Sequence, residues 1–227
     1  MTNYRPYSRQ VRHESESTSL FTKVFLWMFV GLLISGVTAY SIANSGAVLS
    51  NGLLIGLSIG LVVYTFIICF TISRITSPVA YFYFITYTAL EGVVLSIIFR
   101  AYELPDIYSA FFIAAGVFAV AAIYGFVTKK DLSSWGSILT ILLIGLLIAL
   151  IVDIFVNNSL YSFIVSAVAI LIFVAVTAYD IYKIKNHSNS YKLNENENVC
   201  AIFYALEIYL DFLNIFLHVL RLKSSSD

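Results

Sequence analysis

Residues 205–218 read Ala-Leu-Glu-Ile-Tyr-Leu-Asp-Phe-Leu-Asn-Ile-Phe-Leu-His, a hydrophobic stretch that carries four polar side chains. In an α-helix, with about 100° between successive residues, these four fall within an arc of roughly 60° on one face. They are Glu207, Asp211, Asn214 and His218. A carboxylate at mid-depth in a bilayer costs about 2.5–3.5 kcal/mol on the translocon scale. We therefore expect this polar stripe to face protein or water, and to form part of the working site.

The rest of the chain predicts an all-α polytopic membrane protein. Of its 227 residues, 60% are hydrophobic and only 11% are charged. Seven hydrophobic runs approach the ~20 residues that a helix needs to cross a bilayer. The runs are Leu20–Ala43, Asn51–Ile72, Val79–Phe99, Ile107–Thr128, Leu132–Val152, Leu160–Tyr182 and Cys200–Leu222. The sequence therefore predicts a polar tail over residues 1–19, a transmembrane domain over 20–222 and a short C-terminal tail over 223–227.

The basic residues predict the orientation. Ten lysines and arginines lie on the side of the N-terminal tail and three on the other side, so the positive-inside rule places the N-terminus in the cytoplasm. Seven crossings then put the C-terminus outside. Because Arg221 and Lys223 are basic and close to that end, a re-entrant last segment is the alternative.

Composition also limits the function. The formal net charge is zero, which gives a nucleic-acid partner no electrostatic support. The cysteines, Cys69 and Cys200, lie in or beside apolar segments and suggest neither a disulfide framework nor a metal site. Neither zinc-ligand spacing nor a nucleophile elbow is present, so we expect no enzymatic activity and no cofactor.

Two aspartates lie where a membrane helix rarely carries charge. Asp211 is near the middle of the seventh run, where it either forms a structural bond between helices or has a functional role. Asp180 ends the sixth run, where a carboxylate opposes the helix dipole and should attract a cation if it is not simply solvated.

Other polar groups extend this set. Glu207 could assist Asp211 or lie among headgroups, and Arg74 could pair with one of the aspartates or reach to headgroups. Glu91, in the middle of the third run, is either protonated and hydrogen-bonded or lines a polar path. We expect Asn214 to bond a neighbouring helix and His218 to be a satisfied interfacial histidine. Asp153, near the outer edge of the fifth run, is expected to be solvated.

Carboxylates of this kind suit an ion path. Calcium prefers hard oxygen ligands, and two carboxylates held close together titrate as a unit. Protonation, cation binding and pairing with arginine are then three alternative ways to neutralise one site, which is a plausible gate.

Five segments, in order, resemble a known family. They are Arg74–Pro78, Phe84–Gly92, Tyr124–Ser133, Tyr179–Asp180 and Tyr209–Phe216. With the seven-span topology they make the chain similar to the Bax inhibitor-1 family, and its length and short loops are similar to those of a bacterial member. The loop Lys183–Val199 is long for such a member.

The resemblance implies a fold whose seventh helix is central, and a pH-sensitive calcium leak across the membrane. It implies that Asp180 and Asp211 form the pH and calcium sensor and act as calcium ligands, with Arg74 as a latch. Glu207, Glu91, Asn214 and His218 would then support a polar path. The two aspartates are 31 positions apart (211 − 180), so their meeting in space rests on the resemblance.

Two other functions compete with the leak channel. One is a cation- or proton-coupled transporter, although matched halves with broken helices are not apparent. The other is a non-transporting regulator that binds a membrane protease or a stress-response partner, for which the tail Met1–Ser19 is either a docking segment or a disordered segment without a role. The partners expected in every case are lipids, in a bacterial plasma membrane, and the sequence leaves the oligomeric state open.

Overall fold

The computed structural model describes residues 6–47, 49–156, 158–186 and 196–224, with side chains from Ser19 onward. This part of the chain is helical and contains no strand. The helices are α1 (Pro6–Asn44), α2 (Asn51–Thr71), α3 (Ser77–Leu95), α4 (Ile98–Ala101), α5 (Leu104–Val127), α6 (Trp135–Val156), α7 (Ser159–Lys185) and α8 (Glu197–Ser224). His187 and most of the predicted loop Lys183–Val199 lie outside the described residues.

Seven segments of the described residues are long and apolar enough to cross a membrane, as the sequence predicts. They are Ser19–Asn44, Asn51–Thr71, Ser77–Ala101, Leu104–Val127, Trp135–Val156, Ser159–Lys185 and Glu197–Ser224. The backbone of the predicted polar tail is helical from Pro6, where α1 begins. Proline is favourable in the first turn of a helix, and no glycine or further proline follows before Gly31.

The third span is interrupted after α3. The Ser96 hydroxyl donates to the Val93 carbonyl oxygen at 2.7 Å, and the amide of Ile97 bonds to Val94 O at 3.4 Å. These i→i−3 bonds tighten the turn before the chain resumes as the short helix α4.

The chain divides into two compact units. The first comprises Met1–Ile97 and Ile184–Leu206, and the second comprises Ile98–Lys183 and Glu207–Asp227. The boundary falls inside α8, so the first turns of this helix belong to the first unit and the remainder to the second.

In the first unit, glycine allows α1 and α3 to approach closely. A methyl group on Gly92 would come within 2.6 Å of the Ser35 carbonyl oxygen, so no larger residue fits without movement of the backbone. The start of α8 is tied to the start of the first span, because Lys23 Nζ lies 3.0 Å from Glu197 Oε1. Both spans therefore begin at the same end of this unit.

In the second unit, α5 and α7 touch through Gly125, where a methyl group would lie 2.2 Å from the Ala178 carbonyl oxygen. The α8 residue Phe212 packs edge-on against Phe111 and Phe118 of α5, with ring centroids 5.3 and 5.8 Å apart. These contacts place the apolar side of α8 against α5.

The last span is the enclosed one, as expected. In its most apolar 18-residue window 83% of the residues are buried, against 11–39% in the other six spans. The helix is continuous over 28 residues, about 42 Å. Within the second unit it runs from Glu207, beside the end of α7, to Arg221, beside Asp153 at the end of α6. The continuous helix favours the full crossing over the re-entrant alternative.

Candidate functional site

A lysine bridges two carboxylates where α7 ends in the second unit. Lys183 Nζ lies 3.0 Å from Asp180 Oδ1 and 2.8 Å from Glu207 Oε1. The three side chains are 15%, 10% and 24% exposed respectively. We call these contacts the lysine bridge. Asp180 therefore has a cationic partner, as expected for a carboxylate near a helix C-terminus. Glu207 is paired with a lysine and does not lie unpaired among the lipid headgroups.

Asp211 lies one turn of α8 beyond Glu207 and is only 4% exposed. It interacts electrostatically with Asp180, Glu207 and Lys183, and the Thr177 hydroxyl of α7 lies beside its carboxyl group. Among the described residues, Asp211 Oδ2 and Glu207 Oε2 are buried and have no hydrogen-bond partner. The structure therefore brings the two aspartates of the predicted sensor into one cluster, together with Glu207.

This cluster holds three carboxyl groups and one ammonium group. If all are ionised, the net charge is −2 (three negative charges against one positive), and the cost of burying uncompensated charge is high. The cluster therefore carries an excess of negative charge that protonation of a carboxyl group would reduce. Within the described ranges no group of three or more His, Cys, Asp and Glu side chains has an arrangement that could hold a metal ion. The cation between Asp180 and Glu207 is the Lys183 ammonium.

Sequence reasoning missed Lys183, which was counted among the charges of a cytoplasmic loop. The available signal was the spacing Asp180-x-x-Lys183, because residues three apart on a helix are neighbours. A lysine in the last turn also interacts favourably with the helix dipole. Its second contact, with Glu207, could not be found in this way, since the two residues are on different helices.

Arg74 lies in the turn between α2 and α3 in the first unit, with its side chain exposed. Its backbone amide donates to Thr71 O at 2.9 Å, which closes the last turn of α2. The latch role assigned to Arg74 stays a prediction.

Glu91 also belongs to the first unit, where it is half-buried on α3. It lies one turn beyond the buried Tyr87 and interacts with it electrostatically. The Tyr87 hydroxyl accepts a hydrogen bond from Thr65 at 3.4 Å. The place of Glu91 on a polar path stays a prediction.

The two remaining members of the polar stripe differ from expectation. Asn214 Nδ2 donates to Leu210 O at 2.8 Å, so within the described ranges its amide bonds its own helix and not the neighbouring helix that was expected. His218 is 7% exposed and stacks on Phe173, with ring centroids 6.4 Å apart. Its Nδ1 has no hydrogen-bond partner among the described residues, so the expectation of a satisfied histidine is wrong for that nitrogen.

The end of α8 carries two further ion pairs in the second unit. Asp153 was expected to be solvated, but it is 6% exposed, accepts a hydrogen bond from Ser162 at 2.5 Å and forms an ion pair with Arg221. Lys223 Nζ lies 2.8 Å from Asp106 Oδ1. The prediction for Asp153 failed because its partners lie on α7 and α8. Both basic residues near the end of the chain are thus neutralised by acids at the same end of the unit.

Comparison with known proteins identifies the family of this chain. The family described as inhibitor of apoptosis-promoting Bax1 matches residues 17–227. The chain is 35% identical over 207 residues to the inner membrane protein YbhL of Escherichia coli K12, covering 88% of each chain. It is 36% identical over 208 residues to a protein of Borreliella burgdorferi, covering 88% of each, and 32% identical over 211 residues to one of Deinococcus radiodurans, covering 92% and 91%. With its seven membrane-spanning helices and its enclosed last span, this chain belongs to the Bax inhibitor family.

Proposed function

We propose that this protein is a pH-sensitive calcium leak channel, and that Asp180, Glu207 and Asp211 form the site at which protons and calcium compete. The observation that carries the proposal is the gathering of three carboxylates and one lysine at one end of the second unit. The proposal gives the protein no catalytic step and no cofactor. Its membrane is the bacterial plasma membrane, with the N-terminus in the cytoplasm.

The lysine bridge supplies the gate in this proposal. Lys183 neutralises part of the negative charge and occupies the space between Asp180 and Glu207. A calcium ion prefers several carboxylate oxygens, so it must displace the lysine to gain them. A proton on one carboxyl group weakens the bridge by removing a charge. Protonation of the carboxyl groups, calcium binding and the contacts of Lys183 therefore depend on one another. A pH-sensitive ion site needs this coupling.

The buried oxygens of Glu207 and Asp211 supply the affinity for cations. Because these oxygens have no hydrogen-bond partner among the described residues, an arriving cation does not have to break an existing bond to them. Burial strengthens the attraction, since screening by water and salt is weak there. Only the last span combines such groups with near-complete enclosure among the described residues.

Flux measurements on the purified full chain in liposomes test this function. Calcium entry is followed at several pH values, with and without a proton gradient. We expect pH-dependent flux that needs no gradient. Flux that requires the gradient would instead indicate a coupled transporter, and the absence of flux would indicate a non-transporting regulator with a protein partner.

Two variants test the assignment of the sensor. We expect Asp180→Asn and Asp211→Asn each to flatten the pH dependence of the flux, because each removes a titrating group from the cluster. Asp131→Asn is the matched control, since Asp131 lies in the exposed loop between α5 and α6. A native pH profile in both cluster variants would show that the sensor is elsewhere.

The latch is tested separately. We expect Arg74→Ala to raise basal flux, because a cation that competes for the carboxylates is removed. Lys183→Met should raise basal flux for the same reason. If Lys183→Met alone raises it, the competing cation is Lys183 and Arg74 only contacts headgroups.

A further inference from the structure

An apolar cleft of about 300 Å³ opens in the second unit, among α5, α6 and α7. Ala121 of α5 and Ala178 of α7 form its floor and are 2% and 6% exposed. Val120 and Leu171 form its rim and are 70% and 69% exposed. Because the rim lies within membrane-spanning segments, the cleft opens towards the hydrocarbon of the bilayer.

The shape of the floor has a local cause. Alanines at 121, 175 and 178 leave space that larger side chains would fill. The close contact at Gly125, beyond the end of the cleft, holds the backbones of α5 and α7 together. Ligand pockets usually begin at about 300 Å³, and a dry cavity of half that volume is enough for benzene. The cleft is therefore large enough for a segment of a hydrocarbon chain.

Aromatic side chains indicate that one end of the cleft lies at the membrane surface. Tyr124, Trp135 and Tyr179 line it there, at the end of α5, the start of α6 and the end of α7. Tyrosine and tryptophan are enriched at the level of the lipid headgroups, where an apolar ring and a polar atom are both satisfied. An occupant of the cleft would therefore have its polar end at this position.

Two lysines lie at the same end. Leu132 lines the cleft and is 5% exposed, which fixes the α5–α6 loop against it. Lys130 is two residues earlier, so its Cα lies within about 7 Å of that of Leu132. Lys129 and Lys130 are both exposed, and no described acidic group forms an ion pair with either. The nearby carboxylate of Asp131 is held by the Tyr182 hydroxyl at 2.9 Å and by the amide of Ser133.

We propose that this cleft binds one acyl chain of an anionic phospholipid, whose headgroup phosphate is held by Lys129 and Lys130. Charge complementarity decides the class of lipid, because a basic pair beside an intramembrane cleft favours a negative headgroup. Tyr179 links this site to the lysine bridge, since its ring lies 5.9 Å from Lys183 Nζ. The inference does not depend on the proposed calcium flux.

Tryptophan fluorescence offers a direct test, because the chain has only two tryptophans and one of them lines the cleft. In the Trp27→Phe background, Trp135 is the sole indole. The full chain is reconstituted in phosphatidylcholine vesicles that contain a minor fraction of brominated phosphatidylglycerol or, in a parallel set, brominated phosphatidylcholine. Bromine quenches only when the labelled chain is near the indole.

We expect phosphatidylglycerol to be preferred by about five-fold for each lysine, so by about 25-fold for the pair. The double variant Lys129→Gln/Lys130→Gln should abolish the preference, and Lys129→Arg/Lys130→Arg should retain it because the charge is unchanged. Equal quenching by the two lipids in the Trp27→Phe background would overturn the proposal.

Filling the cleft with a larger side chain tests the binding of the acyl chain independently of charge. Ala175→Phe places a ring in the cleft and should remove the preferential quenching by phosphatidylglycerol. Ala119→Phe is the matched control, since Ala119 is an exposed residue of α5 that does not line the cleft. An undiminished preference in Ala175→Phe would show that the headgroup binds without this cleft. If Ala175→Phe does not fold, the two lysine variants still decide the matter.

Discussion

Replacing Lys183 by methionine separates the lysine bridge from ordinary surface ion pairs. Methionine retains most of the apolar length of lysine but leaves the carboxylates of Asp180 and Glu207 without their ammonium partner at 3.0 and 2.8 Å. All three side chains are less than a quarter exposed, so solvent replaces the lost contacts poorly. Removing one partner from a buried ion pair costs about 3–5 kcal/mol. For a protein of this size that corresponds to a fall in Tm of about 6–20 °C.

Thermal unfolding of the purified protein in detergent micelles, followed by far-ultraviolet circular dichroism, measures this change. Lys129→Met is the control, because it removes an exposed lysine from the same end of the second unit. Adding Glu207→Gln to Lys183→Met should recover part of the loss, since one unpaired charge disappears with the lysine. A fall in Tm no larger than that of Lys129→Met would refute the argument that the bridge stabilises the fold.

Two further predictions concern the second unit. Gly125→Ala should lower the free energy of unfolding by about 1–3 kcal/mol, because the added methyl group meets the backbone of α7. The control Gly116→Ala has open space around it and should be neutral or stabilising in the same unfolding assay. Hydrogen bonds from Ser133 and then Tyr182 hold the pKa of Asp131 below its ordinary value, so this stabilisation is present at neutral pH and is lost as the pH falls through the lowered pKa. Tyr182→Phe should raise that pKa and Ser133→Ala should raise it more, which a pH titration of the amide chemical shift of residue 133 measures; an unchanged titration in both would contradict the assignment.

Sequence reasoning could place side chains together where their contact depended on position along one helix. Asp211 and Glu207 are one turn apart on α8, and helical geometry alone puts them on one face. The resemblance implied that Asp180 meets Asp211, and the structure places both in the same cluster. The cation that pairs with these carboxylates was harder to predict. The residues left Arg74 between headgroups and an aspartate, and only the resemblance made it a latch; the contacts of Asp180 and Glu207 are with Lys183.

The sequence by itself determined the class of fold, because hydropathy and length are properties of each segment and need no knowledge of its neighbours. It also determined that the polar stripe on the last span must be shielded from lipid, since the cost of an exposed carboxylate is local. Only the tertiary structure decided which side chains pair with each other and which helices shield them from lipid. Asp153 is paired and buried because Arg221 and Ser162 reach it from other helices. The Asn214 amide instead donates to the Leu210 carbonyl of its own helix. Pairing energies depend on distances between segments far apart in the chain, and helical packing sets those distances.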